Sequence, residues 1–235
     1  MKIISNDKLI KKNLKITKYV TWASMIVLGI GIYLSLSELS ASEPESTKTL
    51  ALTFGALLVG FTLSQISIYM QNRWGRSPRP DELIISNLKG LDDRYTLYIY
   101  SSPIPHLLVS SAGVWGLIAY PQEGTITFTN NKWKHKGGNT LRKIFAGDSI
   151  GKPELDHDNL VSDYSRAFKK ANPELVLPPL NVALVFTNPK IEITAEEAPI
   201  PTIPIKKLKE TIRKHAKLEA IPQATVDQIN QILRN

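Results

Sequence analysis

Two stretches without a charged side chain, Tyr19–Ser37 and Thr49–Asn72, constrain this chain more than any other feature. Each is long enough to cross the roughly 30 Å hydrocarbon core of a bilayer as a helix, which takes about 20 residues. Gly29, Gly31, Gly55 and Gly60 lie inside the runs, where small residues let helices approach closely. Trp22, Tyr33 and Tyr69 lie toward the ends, where amphipathic rings favour the membrane interface. Two helices buried in a soluble core are the competing reading, but such helices rarely run this long without charge. The expectation is a transmembrane hairpin over residues 19–72, with spans at about 19–37 and 49–71.

The flanks set its orientation. Residues 1–18 carry Lys2, Lys8, Lys11, Lys12, Lys15 and Lys18 against Asp7 alone. The connection Glu38–Lys48 has three Glu and one Lys, and Arg73, Arg76 and Arg79 follow the second run. Positive flanks stay cytoplasmic. Residues 1–18 are therefore read as a basic cytoplasmic N-terminus, both termini and the soluble domain as cytoplasmic, and the acidic loop as outside. A cleaved signal peptide, with Ser40-Ala41-Ser42 as a small-residue site, competes for the first run, which is longer than a usual signal-peptide core. Lys11, Lys12, Lys15 and Lys18 are expected at anionic headgroups, each contributing about 1 kcal/mol. Arg73, Trp74 and Arg76 are expected as an interfacial anchor within the junction 73–80.

The remainder is an α/β domain. Pro80 suits the first position of a helix with Asp81 and Glu82 in its positive first turn. Arg94–Tyr100 reads as an alternating strand. His106–Val109 and Val114–Ala119, joined by a turn at Ser110–Gly113, are apolar at nearly every position. That pattern marks strands covered on both faces, so this hairpin is expected at the sheet centre. Thr125–Thr129 is expected to run on toward Trp133, with Gly137-Gly138 closing the segment. Asn139 is expected to cap a short helix ending near Gly147. Leu155–Ala171 is expected as a helix with Leu160, Val161, Tyr164 and Phe168 on one face. A strand over Leu180–Thr187, a second over Lys190–Thr194, a basic helix over Ile205–Leu218 and a last helix over Thr225–Leu233 complete the order. Residues 81–218 form the domain proper and 219–235 a C-terminal helical segment. The order predicts a central mixed sheet.

A helix with an early Glu, the run HLLV–turn–GVW, a Gly-bearing turn and a Trp-bearing strand together resemble the nuclease-related domain (NERD) family, over Pro80 to Lys136. The junction NRWGRSPRPDE looks like that of a bacterial, membrane-anchored subgroup, which implies the bacterial inner membrane. The resemblance implies a restriction-endonuclease-like fold. It also implies an active site of a helix Glu, an Asp before the strand His, and a Glu-x-Lys. Two such carboxylates hold a divalent ion that polarises the phosphate and activates water. In this chain Glu82 matches the helix Glu, but the other three places fall on Pro105, Ile118 and Tyr120. One carboxylate does not hold Mg²⁺ for phosphoryl transfer, and Glu82 reads equally as a helix-start carboxylate. His106 stands where the family has its His, either as a relic of a metal site or as an interior strand residue.

Lys132-Trp133-Lys134-His135-Lys136 interleaves charge and rings, as a nucleic-acid contact would. It reads also as a headgroup contact, or as a solvated strand end with Trp133 packed. The helix from Ile205 carries Lys206, Lys207, Lys209, Arg213, Lys214 and Lys217 around Ile205, Leu208 and Ile212, a pattern suited to anionic surfaces or to plain solvation. Asp156, His157 and Asp158 are consecutive at a helix start and point different ways. The chain has no Cys, which removes disulfides and thiolate chemistry. Its net charge of +8 suits anionic partners. The resulting expectation is a membrane-held, non-catalytic binding or scaffolding module without a cofactor. The alternatives are a tethered nuclease using Mg²⁺ on relocated ligands, and a nucleic-acid-binding module that does not cleave. A second copy or another protein as partner stays open.

Overall fold

The helical part of the chain is built on a seven-residue spacing. In the computed structural model, which describes residues 1–39, 47–137, 150–216 and 221–234, α1 spans Asp7–Leu39 and α2 spans Thr47–Met70. Buried residues fall at Ile10, Thr17, Ser24 and Gly31, and at Thr53, Gly60, Ser67 and Trp74. A strict spacing of seven keeps one stripe facing a partner helix as the pair coils left-handed. A Cβ at Gly31 would come within 2.8 Å of Leu57, and one at Gly60 within 2.8 Å of Leu28. The two glycines thus admit the two leucines. Thr21 and Ser67 share a hydroxyl hydrogen bond of 2.7 Å, and Gln71 Nε2 donates to Thr21 at 3.1 Å. Gly29 and Gly55 meet nothing within 4 Å, so only two of the four expected glycines serve the packing.

Away from that stripe the helices are apolar and bare. Trp22, Ile26, Tyr33, Phe54, Leu58 and Phe61 are exposed. In the most apolar window of each helix, 11 % and 17 % of residues are buried. A helix in a soluble core would show the reverse. Two helices are therefore long and apolar enough to cross a membrane. The second runs into a π-helical turn, Gln71–Gly75, closed by Arg76 N donating to Gln71 O at 3.0 Å.

The chain divides into two compact units, Lys8–Ser77 and a second made of Met1–Asp7 with the described residues from Pro78 on. The second unit holds a six-stranded mixed sheet in the order β1-β2-β3-β4-β7-β9. Its strands are β1 (Lys2–Ser5), β2 (Thr96–Ile99), β3 (His106–Ser110), β4 (Gly113–Tyr120), β7 (Leu180–Phe186) and β9 (Thr202–Pro204). A three-stranded sheet follows the order β6-β5-β8, from β5 (Gly124–Thr129), β6 (Lys132–Lys136) and β8 (Ile191–Thr194). The helices are α3 (Pro80–Leu88), α4 (Pro153–Ala171), α5 (Leu208–His215, entered through a 3-10 turn at Ile205–Lys207) and α6 (Gln223–Ile232).

The expected hairpin is β3–β4, antiparallel and third and fourth in the order, with Leu108 opposite Trp115. Its two sides meet different helices. Leu107, Val109 and Val114 pack with Tyr164 and Phe168 of α4 and Val226 and Ile229 of α6. Trp115, on the other side by strand alternation, meets His215 of α5 edge-on at 4.8 Å. Gly116 admits the closest approach, because a Cβ there would lie 2.5 Å from Leu160 of α4.

Two expectations are corrected and two strands are added. Residues 1–18 hold a strand and the start of a helix. Lys2–Ser5 pairs in parallel with Thr96–Ile99, and α1 begins at Asp7. The strand expected over Arg94–Tyr100 does not alternate: Thr96–Ile99 is buried throughout, the pattern of an inner strand covered on both faces. Thr125–Thr129 does not run on to Trp133. Asn130 and Asn131 turn the chain at φ of 53° and 55°, the left-handed pair of a tight hairpin, and β6 returns antiparallel. Thr202–Pro204, within a proline-punctuated stretch, is the edge strand β9, a place where proline is tolerated. The loop at 40–46 with its Ser40-Ala41-Ser42 site, the helix expected after Asn139 and the end of the basic helix at Lys217–Leu218 lie outside the described residues.

Candidate functional site

The places where the resemblance puts chemistry are occupied by packing and local hydrogen bonds. Glu82 closes the start of α3: Arg79 N donates to its Oε2 at 2.9 Å, and the Arg79 guanidinium pairs with it at 3.0 Å. The same guanidinium grips Asp81 through Nε and Nη2, at 3.0 Å and 2.9 Å. Asp81 is 1 % exposed. This grip holds the Arg79 pKa above its ordinary value, chiefly through the Asp81 hydrogen bond. Both acidic residues at the helix start are thus committed to one arginine.

Pro105 is half-buried ahead of β3, and its carbonyl accepts from Tyr100 N at 2.8 Å. Ile118 is half-buried on β4. Tyr120 closes β4, stacked on Phe186 at 5.3 Å, and donates its hydroxyl to Asp156 at 2.5 Å. Burial first, and the Asp156 bond second, hold the Tyr120 pKa above the ordinary phenol value. A neutral hydroxyl stands where the resemblance leads one to expect a cation. His106 is an interior strand residue. Its Nδ1 lies 3.1 Å from Leu117 O, and its ring meets Tyr100 edge-on at 5.2 Å. Among the described residues no group of three or more His, Asp or Glu side chains is placed to hold a metal ion.

The basic strand sorts its residues by face. Lys132, Lys134 and Lys136 are exposed, whereas Trp133 and His135 turn inward. Trp133 packs on Phe128 at 4.9 Å and donates Nε1 to Glu154 at 2.6 Å. His135 Nε2 lies 2.7 Å from Glu123 O. The inner face of this small sheet continues through Ile126, Ile191 and Ile193. Its outer face carries the three lysines opposite Thr129, Thr127 and Thr125, with Glu192 and Thr194 beyond. Gly124 lets the hairpin close, because a Cβ there would lie 2.4 Å from Lys136 O and its φ is +101°.

The basic helix is largely consumed. Lys209 Nζ donates to Lys89 O at 3.1 Å and Arg213 to Gly90 O at 2.9 Å, satisfying carbonyls just past the end of α3. Lys214 pairs with Glu210. Ile205, Leu208 and Ile212 are buried as expected. Asp156 and Asp158 take separate partners, Tyr120 and His157.

Of the expected interfacial residues, Lys12, Lys15 and Lys18 are exposed on α1, with Lys15 5.9 Å above the Tyr19 ring. Arg73 donates to Tyr69 at 3.2 Å and lies 5.2 Å over the Trp74 ring, and Arg76 is half-buried. Trp74 is 7 % exposed, so its ring is packed inside the protein, not offered to headgroups. It belongs to the seven-residue series of α2, a spacing readable in the sequence.

One cleft of about 820 Å³ was not foreseen. Lys2, Asp93, Arg94, Asp227, Asn230 and Arg234 are among its lining residues. Much of its charge is paired internally: Arg94 with Asp92, and Asp93 with the Met1 ammonium. It depends on β1 for Lys2.

No protein-family model, curated protein or solved structure matches this chain.

Proposed function

We propose that this chain is a two-span protein of the bacterial inner membrane whose α/β domain, on the cytoplasmic side, is a non-catalytic binding module. The domain is read as a member of the nuclease-related family with its metal site replaced by packing. The observation that carries the anchoring is the pairing of β1 with β2. One strand precedes α1 and the other follows α2, so a single sheet takes chain from both ends of the hairpin. That supports an even number of crossings with both ends on one side, and the lysine and arginine flanks support the cytoplasmic side. It also counts against a cleaved signal peptide, because cleavage after α1 would remove an edge strand.

The non-catalytic reading is supported by Glu82 and Tyr120, whose polar atoms are engaged by Arg79 and Asp156. The chain has no Cys, so single cysteines report sidedness cleanly. An impermeant maleimide on intact spheroplasts should label Ser42→Cys and spare Asn188→Cys until lysis. The opposite pattern overturns the orientation. Full-length protein with Mg²⁺ or Mn²⁺ should leave DNA and RNA intact. Metal-dependent cleavage abolished by Glu82→Gln would overturn the non-catalytic reading.

A further inference from the structure

We infer that the outer face of the β6-β5-β8 sheet is a docking surface for the anionic headgroups of a lipid bilayer. The inference rests on the two-span reading above and names the partner of the module. Strand alternation places Lys132, Lys134 and Lys136 in one row, about 7 Å apart. Opposite them stand Thr129, Thr127 and Thr125. Among the described residues the three ammonium groups make no ion pair or hydrogen bond. Among the described residues of these three strands Glu192 is the one acid on the face, where it accepts a hydrogen bond from Thr125 at 3.3 Å. The row is therefore a set of exposed donors with a net positive charge and no apolar side chain.

That chemistry separates the two anionic partners a basic strand can have. Single-stranded nucleic acid draws much of its affinity from stacking on exposed rings. Here the rings face inward: Trp133 is held by Phe128 and Glu154, and His135 by Glu123. What remains is electrostatic attraction without a stacking platform. A bilayer asks for that alone, and its anionic leaflet rewards each nearby lysine. The domain is joined covalently to two apolar helices, one by the β1–α1 connection and one by the chain after Gly75. The effective headgroup concentration is then high whatever the intrinsic affinity.

The test uses the full chain in nanodiscs, with a fluorescent label on Thr127→Cys at the centre of the face and a quencher on the lipid headgroup. Phosphatidylserine-containing discs should quench the label far more than phosphatidylcholine discs. The docked-to-free ratio should fall roughly hundred-fold when Lys132, Lys134 and Lys136 are all changed to Gln. High salt should release the wild-type face, since exposed charges are screened. Equal quenching in the two lipids, or quenching that survives the triple substitution, overturns the proposal. So does a single-stranded oligonucleotide that displaces the label from anionic discs, which would assign the face to nucleic acid. Gln is neutral and suits a strand surface, and an unchanged circular dichroism spectrum separates lost docking from lost fold. Protein that fails to enter discs overturns the two-span reading itself, whereas protein that enters without lipid-dependent quenching overturns only the docking face.

Discussion

The two sheets of the α/β unit share a chain but solve different problems. In the six-stranded sheet, β2 and β3 are buried at every position and β4 at all but two. Helices cover both sides, so each side chain is chosen by packing. In the three-stranded sheet the burial alternates residue by residue along β6 and β8. One face belongs to the core and the other is free to carry charge. The resemblance directs attention to the large sheet, yet the side chains at the places it points to are packed or locally hydrogen-bonded. Freedom to bind is kept by the small sheet.

The sharpest way to break this contrast is truncation. Leu108→Ala on β3 should destabilise the domain by about 3–5 kcal/mol, because the cavity is closed in on all sides. Thr127→Ala on the outer face of β5 should change stability by less than about 0.5 kcal/mol. Hydrogen exchange of the β3 and β5 amides in the full chain reads both, and comparable losses would erase the distinction. Ion pairs should follow the same division. Arg79→Ala leaves Asp81 buried and unpaired, and should cost about 3 kcal/mol by thermal unfolding. Arg94→Ala, at the exposed pair with Asp92, should leave the melting temperature unchanged. Gly124→Ala should cost about 2 kcal/mol, because φ is positive and the new methyl meets a carbonyl oxygen. Its effect should be confined to exchange in β5 and β6; loss of protection in β3 would show the two sheets to be one cooperative unit.

A smaller loss than at Gly124 is expected at Tyr120. Replacing it with Phe removes the Asp156 bond and should cost about 1 kcal/mol near neutral pH. Its pKa is raised in the fold, so the unfolded chain ionises first as pH rises. The stability linked to this group is fully present below about pH 10 and is lost progressively above it. Tyr120→Phe should flatten that alkaline decline only in part, because Tyr164 is also shifted upward by burial. An unchanged slope between pH 10 and 11 would show that Tyr120 does not drive it.

Long-range partnership decides what could be read in advance. The apolar runs of α1, α2, β3, β4 and β7 announce themselves by period and length, and the structure follows them closely. β1 is four residues in a lysine-rich segment, and its partner lies beyond two long helices. No local pattern points that far. The Asn130-Asn131 turn does carry a signal, two residues that tolerate left-handed backbone between β-branched and aromatic runs. At the candidate face, the lysine spacing was visible, but the direction of Trp133 was not, since it depends on Phe128 and on Glu154 of a distant helix. Glu82 was identifiable as a helix-start residue, while its sharing of Arg79 with Asp81 needed coordinates.

The place of β1 bears on how the protein is made. Lys2–Ser5 is synthesised before either long helix, and its partner Thr96–Ile99 after both. During synthesis this strand must wait with its peptide groups unpaired while the hairpin is placed. It can dock only if both ends of the hairpin finish on the same side. On the two-span reading proposed above, a misinserted copy would leave the edge of β2 uncovered where β1 belongs, a row of unpaired peptide groups next to a strand buried at every position. On that reading, correct insertion and a complete six-stranded sheet become one event.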